Sequence, residues 1–330
     1  MALFVLPICW TDLHAQLLGV KCEELPTCDT PQPMISLAMP PSLGHLNPSN
    51  TIITLNNALA CILLPDPMHP ILTSNAVKIA LMTLWPKAFS EPHYLPEFYL
   101  YFRGLVYRNA VPAQILWTFP SDEAKSSSSS FRSVSARPAK SSNVSTQFPP
   151  NQSPANLPMI CYIGKTQLAS VRNNSFRLAC GPGRSWNDPM FRLQQLRGRM
   201  LVPSNSDHDA HFVGVFLGMA QKHFYPSLRI TSRRDLRISP EILTYDTDTL
   251  EFIVYTGYVT KEVLEKFHDL FKAPLDDDDA AVSGLKIEYT RVPIWPILGL
   301  RERLGKALGQ EVVGAFNPGE IETWEKERGE

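Results

Sequence analysis

The densest run of side chains able to do chemistry is Asp207, His208 and Asp209, followed closely by His211. Carboxylates and imidazoles bind transition metals, and His208 and His211 stand three apart, so one helical turn presents both on one side. A catalytic metal needs further ligands from elsewhere in the chain. The preferred reading of the same residues is a helix start, where Asp207 or Asp209 accepts orphan amide hydrogens and complements the helix dipole. Arginines form the second group. Arg192, Arg197 and Arg199 stand almost without acidic neighbours, and Arg233 and Arg234 add another cluster. Should these arginines share a face, their guanidinium groups would hold carboxylates or phosphates, so the expected partner is an acidic protein or a nucleic acid. The competing reading is internal neutralisation by the acidic run at 276–279 and the acidic tail. The common catalytic signatures are missing. Gly181, Pro182 and Gly183 do not make a phosphate loop, because Pro182 lacks the amide such a cradle uses. No G-x-S-x-G, G-x-G-x-x-G or H-E-x-x-H occurs.

Over 330 residues the net charge is −1, which excludes a uniformly basic nucleic-acid coat protein. That near-zero figure hides a strong segregation. Residues 1–119 carry 5 basic and 7 acidic groups, residues 120–202 carry 11 and 3, and residues 203–330 carry 15 and 22. The six cysteines lack C-x-x-C spacing and read as free thiols rather than a disulfide framework. The apolar N-terminus has no basic region before it and is a poor signal peptide. The longest apolar stretch falls well short of the ~20 residues of a membrane span. These points predict an intracellular protein of cytoplasm or nucleus with no membrane span and an unspecified oligomeric state.

The elements that must position these groups are uneven in clarity. Residues 1–50 are proline-rich and read as irregular and partly disordered. Residues 51–119 form a small ordered segment, with a strand at 51–55, a helix from Ser74 to about Trp85, and an aromatic run at 95–107 that periodicity assigns to neither class. Residues 120–157, with five consecutive serines from Ser126, form a disordered linker. The main domain spans 158–316. It opens on a strand pair at 159–171 and 175–180, then a helix from Asp188, and a helix at 207–223 that is apolar nearly all round, where Gly214 and Gly218 admit close neighbours. Two strands at 242–245 and 250–258 flank a polar turn. Thr260 caps a helix with an apolar stripe, Leu285, Ile287 and Tyr289 alternate as a half-buried strand, and residues 297–308 form an amphipathic helix. Residues 317–330 are a charged tail. The fold class is therefore α+β: a small mixed or antiparallel sheet with packed helices in the C-terminal half, beside an irregular N-terminal half.

The helix–strand–strand–strand–helix–strand order across 207–292 resembles the core of the PD-(D/E)xK nuclease superfamily. That resemblance implies Asp246 and Glu251 on Mg²⁺, with a lysine assisting the attacking water. The motif's lysine is missing, since Phe252 and Ile253 follow Glu251, and Lys261 would have to reach back to replace it. Otherwise Asp246 and Asp248 are turn residues and Glu251 is a solvated strand position. Residues 211–225, 243–249 and 251–259 are also similar to a family of hypothetical proteins of filamentous fungi, a likeness that implies no activity, cofactor or site. The leading expectation is a non-catalytic interaction or accessory protein using an arginine-rich face and no cofactor. The alternatives are a degenerate or active Mg²⁺-dependent nuclease, and an accessory protein of fungal secondary metabolism with a small-molecule pocket.

Overall fold

The computed structural model describes residues 5–30, 46–64, 69–103, 105–119, 158–176, 188–224, 237–268, 284–315 and 325–327. The expected linker at 120–157, Arg233, Arg234 and the acidic run at 276–279 lie outside these residues.

The chain enters through a 3-10 turn at Pro7–Cys9 and helix α1 (Asp12–Leu17), then strand β1 (Lys21–Leu25) and the short β2 (Leu46–Pro48). Helices α2 (Asn50–Ile62) and α3 (Pro70–Leu84) follow, then β3 (His93–Tyr94), β4 (Phe98–Phe102), β5 (Leu105–Val111) and β6 (Ile115–Thr118). Next come β7 (Met159–Tyr162) and helices α4 (Lys165–Ser175), α5 (Asp188–Met200) and α6 (Ala210–Phe224), with a 3-10 turn at Ser206–His208 leading into α6. The last part holds β8 (Arg237–Ile238), β9 (Glu241–Asp246), β10 (Glu251–Thr260), α7 (Lys261–His268), β11 (Lys286–Pro293), α8 (Leu300–Leu308), α9 (Gln310–Val313) and β12 (Glu325–Glu327).

One mixed sheet organises these elements in the order β1-β11-β10-β9-β7-β6-β3, and β8 pairs with the far end of β10. β1 runs parallel to β11 and β7 parallel to β9, and the other neighbours are antiparallel. The α+β class and the mixed sheet are as expected from the sequence. Strands from residues before 120 and after 157 share this sheet, because β6 pairs with β7 and β1 with β11. The N-terminal half is more regular than its proline content suggests. Several prolines stand at boundaries, where a fixed φ and a missing N–H cost little: Pro7 and Pro70 at helix starts, Pro86 just after α3.

Two local expectations change. Residues 51–55 are helix rather than strand: the Ser49 hydroxyl accepts the Ile52 N–H, and Leu55, Ala58, Leu59 and Ile62 bury one stripe. Beyond Tyr162 the chain turns at Gly164 into α4 instead of continuing as a strand, and Leu168 and Arg172, one turn apart, are its buried positions. The aromatic run resolves as the β4–β5 hairpin. The Thr260 cap is formed, with its hydroxyl accepting the Val263 N–H at 3.4 Å.

Each sheet face carries its own core. On one face α6 lies with the β4–β5 hairpin over Cys161, Ile242, Ile253, Tyr255 and Ile287. On the other, α2, α3 and α8 cover Trp117, Ile160, Leu243, Phe252, Val254 and Val292. α6 is buried along nearly its whole length, as its all-round apolar sequence predicts. Its glycines are contact points: a Cβ on Gly214 would lie 2.4 Å from the Pro7 Cβ, and one on Gly218 would lie 3.0 Å from the Phe98 Cβ. Arg303 fastens α8 to the sheet by donating to the carbonyls of Pro293 and Pro296. Gly214→Ala should therefore lower unfolding free energy by about 1–3 kcal/mol through overpacking against Pro7. Urea denaturation checks this, and an unchanged midpoint would mean that the Pro7 segment yields freely.

Candidate functional site

Antiparallel pairing fixes which polar side chains meet. Register places Glu251 opposite Asp246, and Ile253 opposite both Thr244 and Arg291. Side chains alternate along a strand, so Asp246, Glu251, Tyr255, Tyr289 and Arg291 all project from the face that carries α6. Two groups close over them from outside the sheet, Lys165 at the first turn of α4 and Asp207 in the turn before α6.

Arg291 is the hub. Its guanidinium donates to Asp207 and to Glu251 Oε2 at 3.0 Å, stands 4.0 Å from Asp246 Oδ2, and reaches Glu24 of β1 at 3.5 Å. The Lys165 ammonium donates to Asp207 and lies 3.9 Å from Asp246. Below them the Tyr255 hydroxyl donates to Asp207 at 3.4 Å, and the Tyr289 hydroxyl donates to Glu24 at 3.1 Å. Burial alone raises the Asp207 carboxyl, but Lys165 and Arg291 outweigh it and hold the acid below its ordinary range. Burial, then Glu24, push the Tyr289 phenol up to about 12.

Two residues further on, Asp209 does a different job. Its two oxygens accept both terminal nitrogens of Arg172 at 2.6 Å, and Oδ1 also accepts the His211 N–H at 2.9 Å, so Asp209 caps α6 as one of the two expected candidates. Arg172 Nε donates to the Ile8 carbonyl at 3.0 Å. The side chains of this pair are only 4% and 7% exposed. His211 is wholly buried, with Nε2 donating to the Pro112 carbonyl at 3.0 Å. Burial moves its pKa down to about 4, although the Asp209 charge pulls the other way.

Against the expected site residues the outcome divides. Asp246 and Glu251 are brought together. Lys261 is not: it begins α7 beyond the far end of the ten-residue β10, ~30 Å from Glu251 at the rise of a strand. The two carboxylates do not fit a Mg²⁺ site, since both converge on Arg291 Nη1, and no group of three side chains able to hold a metal occurs among the described residues. Asp246 Oδ1 accepts the Asp248 N–H, as a turn residue does. Arg192, Arg197 and Arg199 all lie exposed on α5, with Arg197 over the Phe176 ring at 6.0 Å. Sequence reading passed over Lys165 and Arg291. One signal was there to find: Arg291 continues the inward phase of Ile287 and Tyr289, and a charge in that phase demands partners.

α5 itself is turned in an unusual direction. Its one buried position is Gly198, next to Asn173 of α4, and Gln194 is half-buried. Leu193, Leu196 (57% exposed) and Met200 (74% exposed) recur at helical spacing on the side away from the body. Among the described residues no helix is long and apolar enough to cross a membrane. Compared with known proteins, the chain matches no family model and no curated sequence.

Two measurements probe the buried charges. Arg172→Ala should cost about 3–5 kcal/mol in chemical denaturation, because Asp209 is then buried without its cation. Acid should also weaken the fold through His211. Its folded pKa lies below the unfolded ~6.5, so the unfolded state alone takes the proton as pH falls, and about 3 kcal/mol is lost between pH ~6.5 and ~4. Asp207 shifts the same way, but its contribution goes only below the ordinary carboxylate range. His211→Gln should flatten the dependence between pH 7 and 5. An equal slope in the variant would assign the loss to other groups.

Proposed function

We propose that the protein is a non-catalytic intracellular binding module that docks an acidic, amphipathic helical segment of a partner protein on α5. The observation that carries this reading is the outward stripe of Leu193, Leu196 and Met200, interleaved with exposed Arg192, Arg197 and Arg199. An isolated helix of this length gains little from exposing apolar side chains, whereas a facing helix would bury them and pair its carboxylates with the arginines. The basic face of α5 belongs to the most positively charged block of the sequence, which supports a carboxylate-rich partner over a neutral one. Among the described residues Cys9, Cys22, Cys28, Cys61 and Cys161 are free thiols, which agrees with a reducing compartment.

The nuclease alternative has in its favour the pairing of Asp246 with Glu251. It is set aside because Arg291 takes both carboxylates and Lys261 stands at the other end of the strand.

The test is fluorescence anisotropy with a synthetic helical peptide rich in Glu and Leu, run beside a duplex DNA of equal charge. The peptide should bind more weakly as salt rises. Arg192→Glu with Arg197→Glu and Arg199→Glu should reduce affinity by about ten-fold or more, and Leu196→Lys should weaken it without lowering the unfolding midpoint. Binding insensitive to salt and to these reversals would overturn the reading, and tighter binding of the DNA would replace the acidic helix by a nucleic acid.

A further inference from the structure

Between α1 and the start of α6 the sheet face is not covered completely. A cavity of about 270 Å³ remains there. Tyr255, Ile287 and Cys22 form its floor, Phe212 and Val213 of α6 one wall, and Ala15 and Gln16 of α1 the other. Its polar rim consists of Asp12, Ser204, Asp207, His208 and Asp209. The volume is just under the ~300 Å³ at which pockets for drug-sized ligands begin, so it suits a small molecule.

The charge around this space is lopsided. No lysine or arginine lines it among the described residues. Behind the rim, Lys165 and Arg291 serve Asp207, and Arg172 serves Asp209. Arg291 is also shared with Glu24, Asp246 and Glu251. Of the three carboxylates that line the cavity, Asp207 and Asp209 are thus held by fixed cations, whereas Asp12 makes no ion pair among the described residues, so one negative charge stands uncompensated beside an aromatic and aliphatic floor. Asp12 is the carboxylate at the mouth. Its Oδ2 accepts the Ser204 N–H at 3.3 Å, a bond that spans from α1 to the loop before α6. A carboxylate offers about four acceptor sites, so Asp12 keeps capacity for an incoming donor, and Asp207 keeps one site after Lys165, Arg291 and Tyr255.

We propose that this cavity binds a small amphipathic amine. Its ammonium lies between Asp12 and Asp207, and its apolar body rests on Phe212, Val213 and Ile287. Carboxylates supply the charge-assisted bonds, and the Tyr255 and Phe212 rings add a favourable face for a cation. An anion of the same size is repelled by Asp12, and a neutral isostere leaves Asp12 without a counter-ion. The site is separate from α5 and does not depend on the partner proposed there.

Isothermal titration calorimetry on the full chain at low salt tests this with phenethylamine, its trimethylammonium analogue and 3-phenylpropionate. The two cations should bind saturably and the carboxylate should not. Asp12→Asn should weaken phenethylamine by about ten-fold. Ala15→Phe, which fills the space from α1, should abolish binding while leaving the far-ultraviolet circular dichroism unchanged. Should either variant fail to fold, the comparison of amine with carboxylate on the unaltered chain still decides. Equal binding of 3-phenylpropionate, no binding of phenethylamine, or amine affinity unchanged in both folded variants would overturn the proposal.

Discussion

The packing of the α6 face turns on one buried ion pair. Arg172 and Asp209 meet in bidentate fashion with almost no solvent contact, and each also satisfies a backbone group, the Ile8 carbonyl and the His211 amide. Removing two charges from water costs several kcal/mol each, and the Coulomb attraction offsets this only when the remaining hydrogen-bonding capacity is filled. Here it is filled by three separate elements: the N-terminal turn, α4 and the start of α6. The pair therefore contributes orientation more than net stability. It holds the entry of α6 at one place over the sheet, where Gly214 lets Pro7 lie against the helix. It also sets the turn carrying Asp207, two residues before, so that this second carboxylate faces Lys165 and Arg291.

The segregation of charge along the chain acquires a spatial meaning from this arrangement. Lys165 and Arg172 come from the basic block at 120–202, and Asp207, Asp209 and Asp246 from the acidic block that follows. Part of the basic excess is thus consumed inside the fold against the acids of the next block. The arginines of α5 are not. They belong to the same basic block but sit on a helix whose body-facing side is a glycine and a glutamine, and they remain in solvent. The neutralisation expected from the acidic run at 276–279 falls outside the described residues; within them Lys165 and Arg172 are paired with acids of the next block, while the arginines of α5 stand exposed.

Legibility in the sequence followed the range of the interactions. The β9–β10 hairpin, the Thr260 cap, the buried α6 and the stripe of α8 were readable because turn chemistry, capping and periodicity act within ten residues or so. The strand–helix identity of 51–62 and 165–175 was not. Thr51, Ile52, Ile53 and Thr54 carry β-branched propensity, and only burial against α3 and the sheet decides for helix. The site was half legible. Asp246 and Glu251 meet because a hairpin forces it, but their cationic neighbours lie 40 or more residues away in sequence, as Arg291 does from Glu251. No local pattern specifies that Lys165 will lie over Asp246, since this requires β7 and β9 to run parallel with α4 leading off between them.

The same long-range origin gives the two candidate binding surfaces opposite sign. The cavity rim is acidic because Asp12 of α1 meets the turn before α6 there without a cation of its own among the described residues. α5 presents arginines because α4 is its main support and takes only Gly198 and the neighbouring polar positions from it. An acidic segment would be repelled at the rim, and a cationic ligand would be repelled at α5. Each surface thus rejects the ligand of the other, so sorting by charge requires no movement of the fold between them.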